Sequence, residues 1–380
     1  MNLNKLHVVT FIGTRPEVIR LSRVISQLES SKAIKHTIIH TGQNYDYGLN
    51  EVFFKELGIP RPNYFLESAG KNVTETIGNL IIKSGPVLDE INPDAVLILG
   101  DTNSCLVSIV AKKKKIPIFH MEAGNRCFDQ NVPEETNRKI VDHIADINMP
   151  YSTIARDYLI SEGINPDRII KTGSPMAEVL DYYSEKINNS DIVQKLKLKK
   201  QEFFVVSAHR EENVDNINRL EELISTLNIL SDEYEFPIIF STHPRTKKQL
   251  QKIEIKPSNK IIFHEPFGFI DYVALQKQSF LVLSDSGTIS EEASILDFCA
   301  INIRSSHERP EAMEEARVIM SDISKKRILQ SINSIFTKTT LQSKFNKVKD
   351  YDDLNVSKKV ERIILSYTDF INKNVWNKES

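Results

Sequence analysis

His120–His143, HMEAGNRCFDQNVPEETNRKIVDH, is the stretch that decides how the chain is read. It follows an apolar run, Ile116–Phe119, short enough to be a buried strand of a parallel sheet. It then opens into a polar loop and re-enters a helix at Pro133, a residue suited to the first helical turn. Glu122, Glu134 and Glu135, Arg126 and Arg138, and a histidine at either end are packed into this span. Loops leaving the carboxyl ends of strands in an open α/β sheet are where ligands bind. Taken singly, each of these charges reads as a solvated residue of a strand–loop–helix connection. As a cluster they favour a site, because Glu122 sits on a small-residue turn, Ala123-Gly124, where burial is expected. A carboxylate buried beside others has its pKa raised toward the range useful for proton transfer. General acid–base chemistry on a small molecule is the first expectation.

Working outward, the same strand–turn–helix pattern recurs. Leu6–Ile12 stops at Gly13-Thr14-Arg15-Pro16-Glu17, and apolar residues then follow at helical spacing from Pro16 to Leu28. A glycine turn before a helix N-terminus binds anions, and Arg15 adds a fork-shaped cation. Further strands are expected at Thr37–Thr41, at Ala95–Leu99 before Gly100-Asp101-Thr102, and at Arg168–Thr172. From its local sequence Asp101 reads equally as a helix cap or a catalytic acid. A lysine-rich, glycine-free stretch, Ser190–Gln201, separates this half from a second strand series: Phe203–Val206, Pro237–Phe240, Lys260–Phe263, Phe280–Leu283 and Phe298–Ile303. The most informative loop of that half is Asp285 to Glu292, where small residues open an amphipathic helix suited to a diphosphate.

These patterns predict an α/β protein with two Rossmann-like domains facing across a cleft. The expected boundaries are 1–190 for the half with the acidic cluster and 201–352 for the nucleotide-binding half. A helix within 353–380 is expected to pack back across the junction.

Composition narrows the function classes. A chain of 380 residues exceeds what one core usually supports. A formal net charge of -2 and no basic footprint argue against nucleic acid. The densest positive run, Lys112–Lys115, ends a helical segment and reads as a solvated helix end. No stretch reaches the ~20 apolar residues of a membrane span, and MNLNKLHVVTFIG has no cleavable signal pattern. Cys105, Cys127 and Cys299 lack metal spacing and fit reduced thiols of a cytoplasmic protein. Cys127 lies in the polar cluster but reads as a packed thiol rather than a nucleophile.

Side by side, GTRPE, GDT, HMEAG, PEETNR, AHREEN, STHPRT, SDSGTISEEA and ERPEA resemble the non-hydrolysing UDP-N-acetylglucosamine 2-epimerase family, in order from about Lys5 to about residue 335. The resemblance implies a GT-B-like arrangement, a UDP-2-acetamido sugar as substrate, a homodimer, and no metal or nicotinamide cofactor. It implies inversion at C2 by elimination of UDP to a 2-acetamidoglucal and re-addition. By motif position the catalytic residues fall on Asp101, Glu122, Glu134 and His209. UDP contacts fall on Arg15, Ser286, Gly287, Thr288, Glu292 and Arg309, with Tyr272 beside the uracil.

Two departures refine this expectation. Arg20 stands where family members usually carry lysine, and can still hold a phosphate with a different reach. Gln43-Asn44-Tyr45 departs from the family's usual triplet in a region tied to activation by substrate. GTRPEVIRLSRVI, HTGQNYDYGLNEVFF, LGDTNSC, HMEAGNRCFD and TGSPMAEVL are most similar to the subgroup that makes UDP-N-acetyl-L-fucosamine. That subgroup acts on UDP-2-acetamido-2,6-dideoxy-β-L-talose for capsule or O-antigen polysaccharide. The alternatives are a GT-B glycosyltransferase using a UDP-sugar donor, a UDP-sugar-binding regulator and a hydrolysing epimerase.

Overall fold

A computed structural model describes residues 4–43, 54–337, 340–341 and 346–378. The chain divides into two compact units, Met1–Asp181 with Asp350–Ser380, and Tyr182–Lys349.

The first unit is built on six parallel strands: β1 (Leu6–Ile12), β2 (Ile34–His40), β3 (Tyr64–Phe65), β4 (Ala95–Leu99), β5 (Ile118–Met121) and β6 (Ile147–Met149). They lie in the order β3-β2-β1-β4-β5-β6. The second unit repeats the plan with β7 (Phe204–Ser207), β8 (Ile238–Ser241), β9 (Ile261–His264), β10 (Leu281–Ser284), β11 (Ala300–Asn302) and β12 (Ile319–Met320), ordered β12-β11-β10-β7-β8-β9. Each is the Rossmann order 3-2-1-4-5-6, in which the chain reverses direction across the sheet between its first and fourth strands. Each sheet therefore has one switch point, at β1/β4 and at β7/β10.

The strand sequences explain the sheets. All five residues of β4 are buried, as are Phe204, Val205 and Val206 of β7 and Leu281, Val282 and Leu283 of β10. Strands covered on both faces need such uninterrupted apolar runs. Truncating one of these leucines or isoleucines to alanine costs about 2–5 kcal/mol.

Several expected strands shift. The run read as Ile116–Phe119 becomes Ile118–Met121, because Pro117 has no N–H to give the ladder. His120 thereby moves from the loop into the strand. Arg168–Thr172 is not a strand: Asn165 caps a short turn at Pro166–Arg168, leaving one isolated parallel bridge, Asn148–Ile169. Its place at the sheet edge is taken by β6, too short and polar to read in advance.

Helix Pro133–Ile144 begins at the expected proline. The run at Lys112–Lys115 is engaged in ion pairs, Lys112 with Asp146 and Lys114 with Asp89. Helix Val356–Asn374 belongs to the first unit and packs on helix Arg15–Ser30, with Gln27 donating to Glu361 at 2.6 Å. Among the described residues no helix is long and apolar enough to cross a membrane.

Candidate active site

At the switch point of the first unit, the turns after β1 and β4 touch. A Cβ on Gly13 would lie 2.0 Å from Ser104 Oγ and 2.3 Å from Thr41 Oγ1, so only glycine lets them approach. Thr14 caps helix Arg15–Ser30, which starts with Arg15, half-buried. Glu17, one turn in, folds back to accept the Gly13 N–H at 2.5 Å and the Thr14 N–H at 3.3 Å. Its other oxygen accepts the Thr102 hydroxyl at 2.5 Å, so this carboxyl joins both turns. Glu17 is only 2% exposed, and burial pushes its pKa up to about 7 against those hydrogen bonds.

The turn after β5 holds Glu122, buried and with φ of 66°. A non-glycine residue in that region costs of order 1–3 kcal/mol and is retained where the surroundings over-determine it. Here its N–H donates to Met149 O at 3.1 Å. One carboxylate oxygen is ion-paired with Arg20, and the other accepts from Asn125 at 3.3 Å. The lysine-to-arginine departure at Arg20 thus places a guanidinium directly on the central acid.

Asp101 accepts Arg138 Nε at 2.7 Å, and its carbonyl accepts from Asn137 at 2.9 Å. Helix Pro133–Ile144 is in this way tied to the turn after β4. Of the two glutamates opening that helix, Glu134 is half-buried, whereas Glu135 is sealed. Glu135 accepts from Cys127 N, Phe128 N and Arg138 at 3.2, 3.3 and 2.8 Å. Burial opposes its charge, but these donors outweigh it and hold the carboxylate below its ordinary range. Glu135 therefore clamps the loop. The Cys127 thiol is pushed up by burial and lies 3.3 Å from Glu135, which fits a packed thiol.

The second unit repeats the joining device at its own switch point. Asp285, fully buried after β10, accepts the backbone N–H groups of His209 and Arg210, both at 2.9 Å, and Asn213 at 3.1 Å. Its Oδ1 lies 3.0 Å from His209 Nδ1. Burial works against the charge, but the His209 imidazole and these donors hold Asp285 down at about 2. The imidazole is thus oriented from below while its ring stays exposed.

Beside it, Ser286 and Thr288 exchange a hydroxyl hydrogen bond of 2.8 Å at the start of helix Ile289–Leu296. Gly287 between them lies against the Glu308 carboxylate: a Cβ there would sit 2.8 Å from Oε1 and would make that oxygen shift. Within the helix, Glu291 is ion-paired with Arg309 at 3.2 Å, and Glu292 accepts from Gln276 at 2.8 Å. Tyr272 has its hydroxyl pushed up by burial and by neighbouring Glu292, with hydrogen bonds to Ser207 and Ser284.

The expected residues divide between the two units. Arg15, Arg20, Asp101, Glu122 and Glu134 lie on turns and helices leaving β1, β4 and β5. His209, Tyr272, Ser286, Gly287, Thr288, Glu292 and Arg309 surround β7 and β10. Sequence reasoning gave no role to Glu17 or Asp142, counted His120 only as one end of the charged stretch, and took Asp285 only as the start of its loop. Glu17 had a readable signal, since Thr14-x-x-Glu17 spells a capping box. Asn44 and Tyr45, where the sequence departs from the family's usual triplet, lie outside the described residues. Among the described residues no group of three or more His, Cys, Asp or Glu side chains is placed to hold a metal ion.

Residues 26–365 match the family model for UDP-N-acetylglucosamine 2-epimerase. The chain belongs to the UDP-N-acetylglucosamine 2-epimerase family. It is similar to the solved UDP-N-acetylglucosamine 2-epimerase of Rickettsia bellii, 51% identical with a TM-score of 0.91, covering 99% of this chain and 100% of that one. It is similar also to the UDP-GlcNAc 2-epimerase of Methanocaldococcus jannaschii solved with UDP-GlcNAc and UDP, 33% identical with a TM-score of 0.87, covering 95% and 100%. A third relative is the UDP-2,3-diacetamido-2,3-dideoxy-D-glucuronate 2-epimerase of Pseudomonas aeruginosa, 30% identical over 338 residues, 88% of this chain and 93% of that protein. As a UDP-N-acetylglucosamine 2-epimerase family member, the chain is an isomerase, a carbohydrate epimerase of the two-domain α/β, GT-B-like fold class.

Proposed function

We propose that this chain inverts C2 of a UDP-2-acetamido sugar by eliminating UDP and adding it back. A carboxylate takes the C2 proton, the C–H electron pair forms the C1–C2 double bond, and the C1–O bond breaks to release UDP. A proton returned to the opposite face of C2, with re-addition of UDP at C1, completes the inversion. Two faces of one carbon need two proton carriers, each contributing about 10²–10⁴-fold. Asp101, Glu122 and Glu134 are the candidates. His209, oriented by Asp285, serves the diphosphate side. Arg15, Arg20, Arg309 and the Ser286-Gly287-Thr288 turn stabilise charge on the departing UDP. Glu292 takes the ribose hydroxyls, and Tyr272 lies near the base.

The observation that carries this reading is Glu122, a strained and buried carboxylate paired with Arg20 at the carboxyl end of β5. A glycosyltransferase would not need it.

For the sugar, the subgroup motifs favour UDP-2-acetamido-2,6-dideoxy-β-L-talose, giving UDP-N-acetyl-L-fucosamine for a surface polysaccharide. The names of its relatives favour UDP-N-acetylglucosamine as the second reading. A substrate panel in D₂O decides: the 6-deoxy-talose nucleotide should gain deuterium at C2 fastest. Faster exchange of the glucosamine nucleotide would reverse the order. No exchange with any UDP-2-acetamido sugar would remove the epimerase reading. A cytoplasmic homodimer completes the proposal, and sedimentation of the purified protein tests the dimer.

A further inference from the structure

Behind the acidic turns of the first unit lies a second layer of buried charge. His120, at the end of β5, is 1% exposed. Its Nε2 is 2.9 Å from Gly100 O, and its Nδ1 is 2.9 Å from Asp142 Oδ1. A carbonyl can only accept, so Nε2 carries a proton. The second oxygen of Asp142 already accepts Gly124 N–H at 3.1 Å and Arg126 at 2.7 Å, which favours the ionised carboxylate and hence a proton on Nδ1 as well.

The groups held by this pair matter. Gly100 immediately precedes Asp101, and Gly124 is two residues after Glu122. Asp142 lies on helix Pro133–Ile144, which begins beside Glu134. Both glycines have positive φ, 74° and 81°, and so depend on their partners to fix the turn.

We infer that His120 is a positioning residue, held as a buried imidazolium by Asp142, which fixes the relative placement of the segments carrying Asp101, Glu122 and Glu134. The inference rests on the epimerase reading of those three acids. The charged groups facing His120 are Asp142, with Arg126 behind it, and Glu122. Burial opposes the imidazolium, but Asp142, the Gly100 carbonyl and Glu122 together raise its pKa above the ordinary value, and Asp142 is held correspondingly low. The ring is buried behind the turns, against the Gly100 carbonyl and Asp142, so its action is through them.

The test has two arms. In the intact protein labelled with ¹⁵N-histidine, His120 should keep protons on both ring nitrogens above about pH 6.5, where an ordinary imidazole becomes neutral. His120→Gln and Asp142→Asn should each lower kcat about 10²-fold, the size expected for misplaced catalytic groups. UDP affinity and KM should stay within about twofold. Asp142→Asn leaves the ring in place, so it serves if His120→Gln does not fold. A neutral His120 in an enzyme that exchanges the C2 proton, or near-normal kcat in both variants, overturns the inference alone. A wild-type protein that exchanges no C2 proton overturns the epimerase reading and the positioning role with it.

Discussion

Arg20 and Glu122, 102 residues apart in sequence, form an ion pair in which both side chains are buried. Removing one partner of such a pair strands the other charge, at a cost of about 3–5 kcal/mol. Arg20→Met should therefore lower stability by roughly that amount and lower kcat, since the Glu122 carboxylate loses the guanidinium paired with it. Arg20→Lys keeps the charge and should recover most of the loss. Urea denaturation and kcat measure both effects, and an unchanged kcat in Arg20→Met would separate Arg20 from Glu122 in function.

Glu122→Gln preserves shape and the Asn125 neighbour while removing the proton carrier. Its turnover should fall about 10²–10⁴-fold with UDP affinity unchanged, read by calorimetric titration with UDP beside a deuterium-exchange assay. Retained exchange would exclude Glu122 from proton transfer.

Burial pushes the Glu17 carboxyl up to about 7, against 4.5 for an ordinary glutamate. The folded state therefore holds its proton more tightly than the unfolded one. Stability from this group is complete below about pH 4.5 and is lost as pH rises through about 7, by about 3 kcal/mol. Glu17→Gln can keep the network, its carbonyl accepting from Gly13 and its amide donating to Thr102. Relative to wild type, the variant should gain stability between about pH 5 and about pH 8. A pH-independent difference between the two proteins would contradict the assignment.

Asp285 has the opposite sign. Its pKa is lowered to about 2 from 3.8, so its contribution is present above about pH 4 and lost as pH falls toward 2. Asp285→Asn should be about 2 kcal/mol less stable at neutral pH, and the deficit should narrow in acid. Epimerisation should fall as well, because His209 loses the partner that orients it. Normal activity with normal UDP binding would leave His209 independent of Asp285.

Gly287→Ala introduces a methyl group into the turn next to the Glu308 carboxylate. Arg304 holds the other oxygen, Oε2, at 2.9 Å, so Oε1 can turn aside while the pair persists. UDP affinity should drop about tenfold, equivalent to roughly 1.4 kcal/mol, with little change in melting temperature. Unaltered affinity would remove this turn from the nucleotide site.

The amino-acid sequence by itself determined the two α/β halves, the turns that end their strands, and the family. Strands buried on both faces must be continuous apolar runs, and the polar turns that follow carry the motifs, so both are local features. Strand limits were legible to within a residue or two where apolar runs are long, as at β1 and β4. They were not legible at β3, β6 and β12, whose two or three residues are strands only because a neighbouring strand supplies hydrogen bonds. Tertiary structure alone decided which charges are neutralised. Glu134 and Glu135 are adjacent and identical, yet one is half-buried and the other clamped by Arg138 and the Cys127–Phe128 backbone. Arg20 meets Glu122, Arg138 meets Asp101, and His120 meets Asp142 through segments 102, 37 and 22 positions apart. A side chain's protonation depends on the charges and water around it in space, and only the folded sheet brings those partners to the carboxyl ends of its strands.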